Sequence, residues 1–168
     1  MMKWFDRSFA FGQPVVLFPN VVERLRGTPA RLEERLTALP DARRTSRPGE
    51  AWSIQEHAGH LLDLEPLWYG RIDDLLDGKA YLRDADLQNR KTHEANHNAT
   101  PIGTLLAAFR TERMRLVDRL DGLTAEDAAR TALHPRLHQP MRLLDLATFV
   151  AEHDDHHLAF ISELMRGS

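Results

Sequence analysis

The sequence predicts an all-α protein, a four-helix bundle with a long connection between its second and third helices. Three observations predict this class. Apolar residues recur at helical spacing in four long stretches, no stretch alternates convincingly as a strand would, and capping signals stand at several expected helix starts. At 168 residues, the chain is expected to form a single domain over residues 1–168.

Composition narrows the classes of function. The formal net charge is −3, from 22 basic and 25 acidic residues, and no basic run stands out, so we expect no nucleic-acid partner. No apolar stretch reaches the roughly 18 residues of a membrane span, and the N-terminus does not resemble a signal peptide, which favours a cytoplasmic location. The chain has no cysteine, which excludes disulfides, thiolate ligands and a cysteine nucleophile.

The first predicted helix follows an aromatic-rich segment, residues 1–18, that we expect to pack on the body as an arm. The helix is predicted over 20–39, with Asn20 and Glu23 as a capping box. Gly27, Thr28 and Pro29 interrupt the pattern, because proline is poorly tolerated inside a helix. The sequence therefore predicts a kinked helix or two short ones here.

The second predicted helix has the clearest start. Ser53 and Glu56 form a capping-box pair, an apolar stripe continues to about Leu76, and Gly78 is placed to end the helix. A polar connection over 79–99 follows. A connection of this length lets the chain cross over, so the second and third helices can run parallel.

The remaining elements are predicted from the same signals. The third helix is expected to start at Thr100-Pro101 and to end near Gly122. A short helical turn is predicted for the segment LTAEDAARTA and a loop for LHPRLHQP. The fourth helix is predicted from about Arg142 to Met165.

The fourth helix carries an apolar stripe with steps of three and four residues, the pattern of a bundle helix that faces the core. Two of its seven positions are histidine, and their spacing of four residues places both rings on one face, as two nitrogen ligands of one metal ion require. His156 lies off this line and is expected beside the site or in solvent. The stripe is Leu143, Leu146, Val150, His153, His157, Phe160 and Leu164.

The spacing of His153 and His157 could also arise by chance, with both residues serving only as part of the core. Nine histidines in this length would give roughly half a pair four residues apart by chance, and the chain has three, the others being His93/His97 and His134/His138. A histidine on an apolar face is usually a hydrogen-bonded core residue. Two adjacent buried imidazoles are harder to satisfy, because each has two nitrogens that need partners. The two other pairs fall in predicted loops, where metal binding is less expected. We expect His93 and His97 to be solvated, with a position at the rim of a pocket as the alternative.

A two-histidine site needs a third ligand, and the segment HAGHLLDLE of the second helix offers candidates. His57 lies in the middle of the apolar stripe and His60 lies toward its edge. Periodicity leaves both open and mildly favours His57. Asp63 and Glu65 are expected to be solvated or capping charges, although either could orient a ligand imidazole.

The segment WSIQEHAGHLLDLEPLW, followed much later by EHDDHHLAFI, resembles the DinB-like family of bacterial four-helix-bundle metalloproteins. The segments WFDRSF and RLRGTPARLEERL are also similar to members of that family. Together these segments extend over most of the chain.

The resemblance implies a divalent metal on three histidines, which by position are His60, His153 and His157. His57 would then lie beside the ligands, face the substrate, or compete as a ligand. The resemblance further implies an up-down-down-up helix order, frequent homodimers, and activities such as thiol S-transfer with low-molecular-weight bacterial thiols.

Two classes of function follow for such a site. Three imidazoles leave an open position on zinc or nickel, as in a catalytic site that activates water or an external thiol of a small-molecule substrate. A non-catalytic metal-binding protein with a structural or sensing metal, related to stress, is the alternative. Arg71 and Arg90 could bind a substrate carboxylate, but nothing in the sequence singles them out.

Overall fold

The computed structural model describes residues 2–167, and four long helices dominate it. They are α1 (Phe18–Leu36), α3 (Ile54–Leu76), α5 (Ile102–Asp121) and α7 (Leu143–Arg166), and the shorter helices are α2 (Asp41–Thr45), α4 (Arg90–Glu94) and α6 (Ala125–Ala129). Single 3₁₀ turns occur at Trp4–Asp6, Val15–Leu17 and His97–Ala99, and two short strands are β1 (Thr131–Leu133) and β2 (Pro140–Arg142). The predicted all-α class is confirmed.

Ion pairs between the long helices give their relative directions. Pairs between α1 and α5 run in opposite senses along the two helices, whereas pairs between α3 and α5, and between α1 and α7, run in the same sense. The α1–α5 pairs are Arg26–Asp121 and Glu33–Arg110. The α3–α5 pairs are Glu65–Arg113 and Asp73–Arg119. The α1–α7 pairs are Arg24–Glu152 and Arg31–Asp155. With α1 pointing up, α3 and α5 therefore point down and α7 points up, which is the predicted up-down-down-up order.

The helix neighbours fit this order. Helix α1 packs on α5 and α7, and α3 packs on the same two helices, so each helix has one parallel and one antiparallel neighbour. The parallel pair α3 and α5 is possible because residues 77–101 carry the chain back to the starting end. None of the helices within residues 2–167 has the length and apolar character needed to cross a membrane.

Helix α1 differs from its prediction. It begins at Phe18 without a side-chain cap and passes through Pro29 as one helix. An interior proline costs about 3 kcal/mol. Leu25, Leu32 and Leu36 on either side of it are fully buried, and burying each contributes roughly 1.5–3 kcal/mol. Tertiary packing of one continuous face therefore keeps the helix unbroken, and the predicted alternative of two short helices is wrong.

Helix α3 follows its prediction at both ends. The Ser53 hydroxyl accepts from the Glu56 backbone N–H, and the Glu56 carboxylate accepts from the Ser53 N–H, so the capping box is present. Gly78 has a φ of +71°, a left-handed conformation that favours glycine after a helix end. The capping box thus fixes where α3 begins, and with it the positions of His57 and His60 in the first two turns of the helix.

The hairpin of β1 and β2 is absent from the sequence prediction, which gives the end of a short helical turn followed by a loop there. The strands pair antiparallel, with Ala132 opposite Met141, and the Leu82 N–H donates to the Leu133 carbonyl at 3.0 Å. Strands of three residues are too short to show an alternating pattern. The hairpin joins the α3–α5 connection to the start of α7 and forms one wall of the cavity described below.

Candidate metal centre

Three histidines from two antiparallel helices meet inside the bundle. His60 lies in the second turn of α3, and His153 and His157 lie one turn apart on α7. All three are buried, and one ring nitrogen from each lies within 4.8 Å of the others. The structure thus brings together the three residues that the resemblance implies as ligands, and it leaves His57 outside this cluster.

The two histidines of α7 have the spacing that a shared ion needs. The Nε2 atoms of His153 and His157 are 3.2 Å apart. Two nitrogens bound to one tetrahedral zinc at about 2.0–2.1 Å would be roughly 3.3 Å apart. Facing lone pairs at this distance repel each other unless a proton or a cation lies between them, so the pair fits a bound cation.

The hydrogen bonds of His60 leave Nε2 free to act as a ligand. The Thr92 hydroxyl donates to Asp63 Oδ2 at 2.9 Å, and its oxygen then accepts from His60 Nδ1–H at 3.0 Å. His97 Nε2–H donates to the same carboxylate oxygen at 2.8 Å. With its proton on Nδ1, a neutral His60 has its lone pair on Nε2. Asp63, through Thr92, is therefore the carboxylate that orients a ligand imidazole.

His57 contacts the cluster from outside. Its Nδ1 is 2.9 Å from Nδ1 of His157, so one of these two nitrogens carries the proton. When His157 donates, its lone pair lies on Nε2, which faces His153. His57 thereby supports the ligand geometry of His157, in agreement with a position beside the ligands.

His153 is held mainly by aromatic packing. Its Nδ1 is buried without a hydrogen-bond partner among residues 2–167. The ring of Trp4 from the N-terminal arm lies edge-on at 4.9 Å, and that of Trp68 from α3 lies at 5.7 Å. The predicted packing of the arm on the body is found, and it places an aromatic ring directly against the candidate site.

Burial keeps these imidazoles neutral. It lowers the pKa of His57 and of His60 to about 4, and it lowers the pKa of His153 and of His157 well below the usual value. Neighbouring histidines add to the effect for both α7 residues, because a second positive charge nearby is unfavourable. Neutral imidazole is the form that binds a metal ion, so the site is ready for coordination near neutral pH.

A cavity of about 450 Å³ opens over the cluster. His60, His153 and His157 lie in its wall beside Trp52, and most of the other nearby walls are aromatic or aliphatic, including Trp68 and Phe149. A volume of this size fits a small molecule. The histidine cluster is thus accessible to a ligand from one side.

Several polar residues differ from their predicted surroundings. His97, expected in solvent, is buried against Asp63, and Glu65, expected to be solvated or capping, is buried against Arg113. His156 is buried too, with its ring 5.4 Å from Trp4. Each is covered by a segment distant in sequence, so helical periodicity alone gives no sign of its burial.

Gly59, next to His60, is required by close packing. A Cβ at this position would overlap the ring of His97, whereas a Cβ at Gly27 of α1 would meet no other side chain of residues 2–167 within 4 Å. We expect Gly59→Ala to lower the free energy of unfolding by about 1–3 kcal/mol through overpacking. Gly27→Ala should raise it by about 0.5–1 kcal/mol through helix propensity. Urea denaturation measures both, and equal stabilisation by the two changes would contradict the packing role of Gly59.

Thr92 is expected to matter for metal affinity although it lies outside the ligand cluster. Thr92→Val removes the hydroxyl that links Asp63 to His60, and we expect a 10–100-fold loss of zinc affinity, typical of a lost outer hydrogen bond. Competition with a chromophoric chelator measures it. Thr92→Ser keeps the hydroxyl and should stay near wild type, as should Thr111→Val on the exposed face of α5. A Thr92→Val affinity equal to that of Thr92→Ser would contradict this role.

Comparison with known proteins gives a family-level match. A model of the DinB superfamily matches residues 24–161. A protein of Bacillus pumilus (strain SAFR-032) named "Putative metal-dependent hydrolase" is 28% identical over 148 residues, which is 86% of this chain and 83% of that protein.

A solved structure shares the fold. It is YfiT from Bacillus subtilis, described as "a probable metal-dependent hydrolase with an unusual four-helix bundle topology". The match has a TM-score of 0.77 at 23% identity and covers 95% of this chain and 91% of that chain. The likeness supports the bundle architecture derived above from the ion pairs.

Proposed function

The chain belongs to the DinB superfamily, and on that premise we propose that it is a metal-dependent enzyme acting on a small molecule in the cavity over His60, His153 and His157. The observation that carries the proposal is the convergence of three buried, neutral imidazoles on one wall of an open cavity. A structural site would surround an ion with protein ligands, whereas a catalytic site keeps a position free.

Each part of the site has a distinct task in this proposal. His60, His153 and His157 hold the ion, Asp63 and Thr92 fix the ring of His60, and His57 fixes the ring of His157. When bound, a divalent cation on three imidazoles supplies Lewis-acid activation of water or of a thiol. Zinc and nickel are the metals we propose, since both suit imidazole ligands.

Hydrolysis is the reaction that we propose first, and the names of the B. pumilus and B. subtilis relatives support it. Transfer of a small external thiol to an electrophile is the second candidate. The observation that favours it is the absence of cysteine from the chain, because no protein thiol then competes with the substrate thiol for the metal.

The proposal is tested on untagged protein loaded with zinc or nickel. Carboxylic esters, amides and phosphoesters are offered in water, and electrophilic acceptors are offered with small bacterial thiols. We expect turnover in one of these two assays. His153→Ala should abolish it, and Arg115→Gln, on the exposed face of α5 and away from the cavity, should leave it intact. No bound metal after incubation with excess zinc and nickel would overturn the proposal.

A structural or sensing metal is the alternative from another class. It is favoured by the position of the cluster between α3 and α7, where an ion would cross-link two helices. It predicts that His153→Ala lowers the melting temperature sharply in metal-loaded protein and that no substrate is turned over. A homodimer, a cytoplasmic location and a role in stress stay predictions.

A further inference from the structure

Arg71 and His134 meet in the same cavity with more donors than acceptors. Arg71 on α3 is 2% exposed, its Nε–H donates to the Arg83 carbonyl at 3.1 Å, and its Nη1 lies 3.2 Å from His134 Nε2. The backbone N–H groups of Arg136 and Leu137 both donate to His134 Nδ1 at 3.2 Å. A neutral His134 therefore carries its proton on Nε2, where it faces another donor.

Arg136 adds a third donor to this corner. Its Nη2 is buried and has no hydrogen-bond partner among residues 2–167, and its guanidinium lies over the ring of Phe5 at 5.1 Å. Burial lowers the pKa of Arg71 to about 10, and burial with the two nearby guanidiniums lowers the pKa of His134 to about 3. The corner thus holds two cations and one neutral donor.

The nearby carboxylates Asp74 and Asp84 favour the charged form of Arg71, but burial outweighs them and lowers its pKa. Within the described chain, no carboxylate lies within ion-pair distance of Arg71 or Arg136. Asp74, on the same helix as Arg71, is bound by Lys79 and Arg83 instead. Asp84 and Asp86 also line the cavity, and Asp86 pairs with Arg90. A buried charge without a partner is costly, so the corner lacks an anion that would accept all three donors.

This corner and the histidine cluster belong to one cavity. The ring of Trp68 lies between them, 5.6 Å from the Arg71 guanidinium and 5.7 Å from the ring of His153. The guanidinium and that imidazole are therefore separated by no more than the sum of these distances. One small molecule with an apolar middle can reach both ends.

We propose that Arg71, His134 and Arg136 form an anion-binding subsite, and that the ligand of the cavity carries a carboxylate or phosphate at the end remote from the three histidines. The inference rests on the proposed function only in calling that ligand a substrate. The oxyanion accepts from Arg71 Nη1, His134 Nε2 and Arg136 Nη2, while an apolar segment lies along Trp68. The reacting group then reaches His60, His153 and His157.

Calorimetry with matched probes tests the subsite on the full, zinc-loaded chain. The probes are 4-phenylbutyrate, 3-phenylpropylphosphonate and the neutral 4-phenylbutanamide. We expect at least one acid to bind about tenfold or more tightly than the amide, since hydrogen bonds to charged groups are the stronger ones. The better acid shows which oxyanion fits. Arg136→Gln and Arg71→Gln should each reduce the preference to about threefold or less.

Two further variants separate this inference from the proposed function. Arg115→Gln, an equal change of charge on the exposed face of α5, should keep the preference. His153→Ala should also keep it, even where metal binding is lost. A preference that survives both Arg71→Gln and Arg136→Gln would overturn the subsite. If His153→Ala also removed that preference, the acid would be bound by the metal, and the metal site would stand without the subsite.

Discussion

Replacing His153 with alanine is expected to abolish stoichiometric binding of zinc or nickel. His153 supplies one of three nitrogens, and its Nε2 lies 3.2 Å from that of His157. Two imidazoles from different helices would remain, with water in the other coordination positions. The loss of affinity should exceed the 10–100-fold that removal of an outer hydrogen bond costs. Elemental analysis after dialysis and chelator competition measure the change.

His156→Ala is the matched control. His156 lies in the same helical motif, is also buried, and contacts the same Trp4 ring as His153, but it is not one of the three clustered residues. His156→Ala should lose the packing contact with Trp4 but bind as much zinc or nickel as the wild-type protein. If the two variants retained equal amounts of metal, His153 would not be a ligand and the cluster would be a packing feature of the helix pair.

The part of the site that could be predicted lies on regular helices. The alternation of three- and four-residue steps along α7 places His153 and His157 on the core face, because the helix fixes the direction of every side chain. The Ser53 capping box fixes the start of α3, and hence the turn on which His60 lies. The choice of His60 over His57 came from the resemblance, since periodicity left both open and mildly favoured His57, which lies in the middle of the stripe.

The remaining parts depend on segments that are distant in sequence. Thr92 and His97 fall in a polar connection without periodicity, yet that connection folds over Asp63 and covers it. A threonine on so short a helix gives no pattern that identifies it as a site residue. Trp4 is similar, because an aromatic arm can pack anywhere on the body. Only the contact with His153 makes it part of the site.

Arg113 also lacks a sequence signal, and its removal is expected to have the largest effect on stability. It is fully buried on α5, where it pairs with Glu65 of α3 at 2.6 Å and with Asp154 of α7 at 3.1 Å. The Thr28 hydroxyl of α1 donates to Asp154 at 2.8 Å, so all four long helices meet here. Asp154 directly follows His153, which couples the network to the candidate metal centre.

Arg113→Met should lower the free energy of unfolding by about 3–5 kcal/mol, the typical cost of leaving buried charges unpaired. Arg110→Met, one turn earlier on α5, breaks a pair with Glu33 in which both side chains are at least a third exposed and should cost no more than about 1 kcal/mol. Urea denaturation of the two variants tests the difference. Equal losses would mean that Arg113 does not compensate the buried carboxylates.

The dependence of this loss on pH distinguishes charge from packing. Burial raises the pKa of Glu65 to about 7 although Arg113 opposes the shift. Below the unfolded pKa near 4.3, Glu65 is protonated in both states and its charge costs no stability. As pH rises toward 7, the buried carboxylate lowers the free energy of unfolding progressively more. Arg113→Met removes the opposing cation and raises that pKa further. The deficit of the variant should therefore be smaller at pH 5 than at pH 8. A deficit that is the same at both pH values would mean that the charge of Glu65 contributes nothing to it.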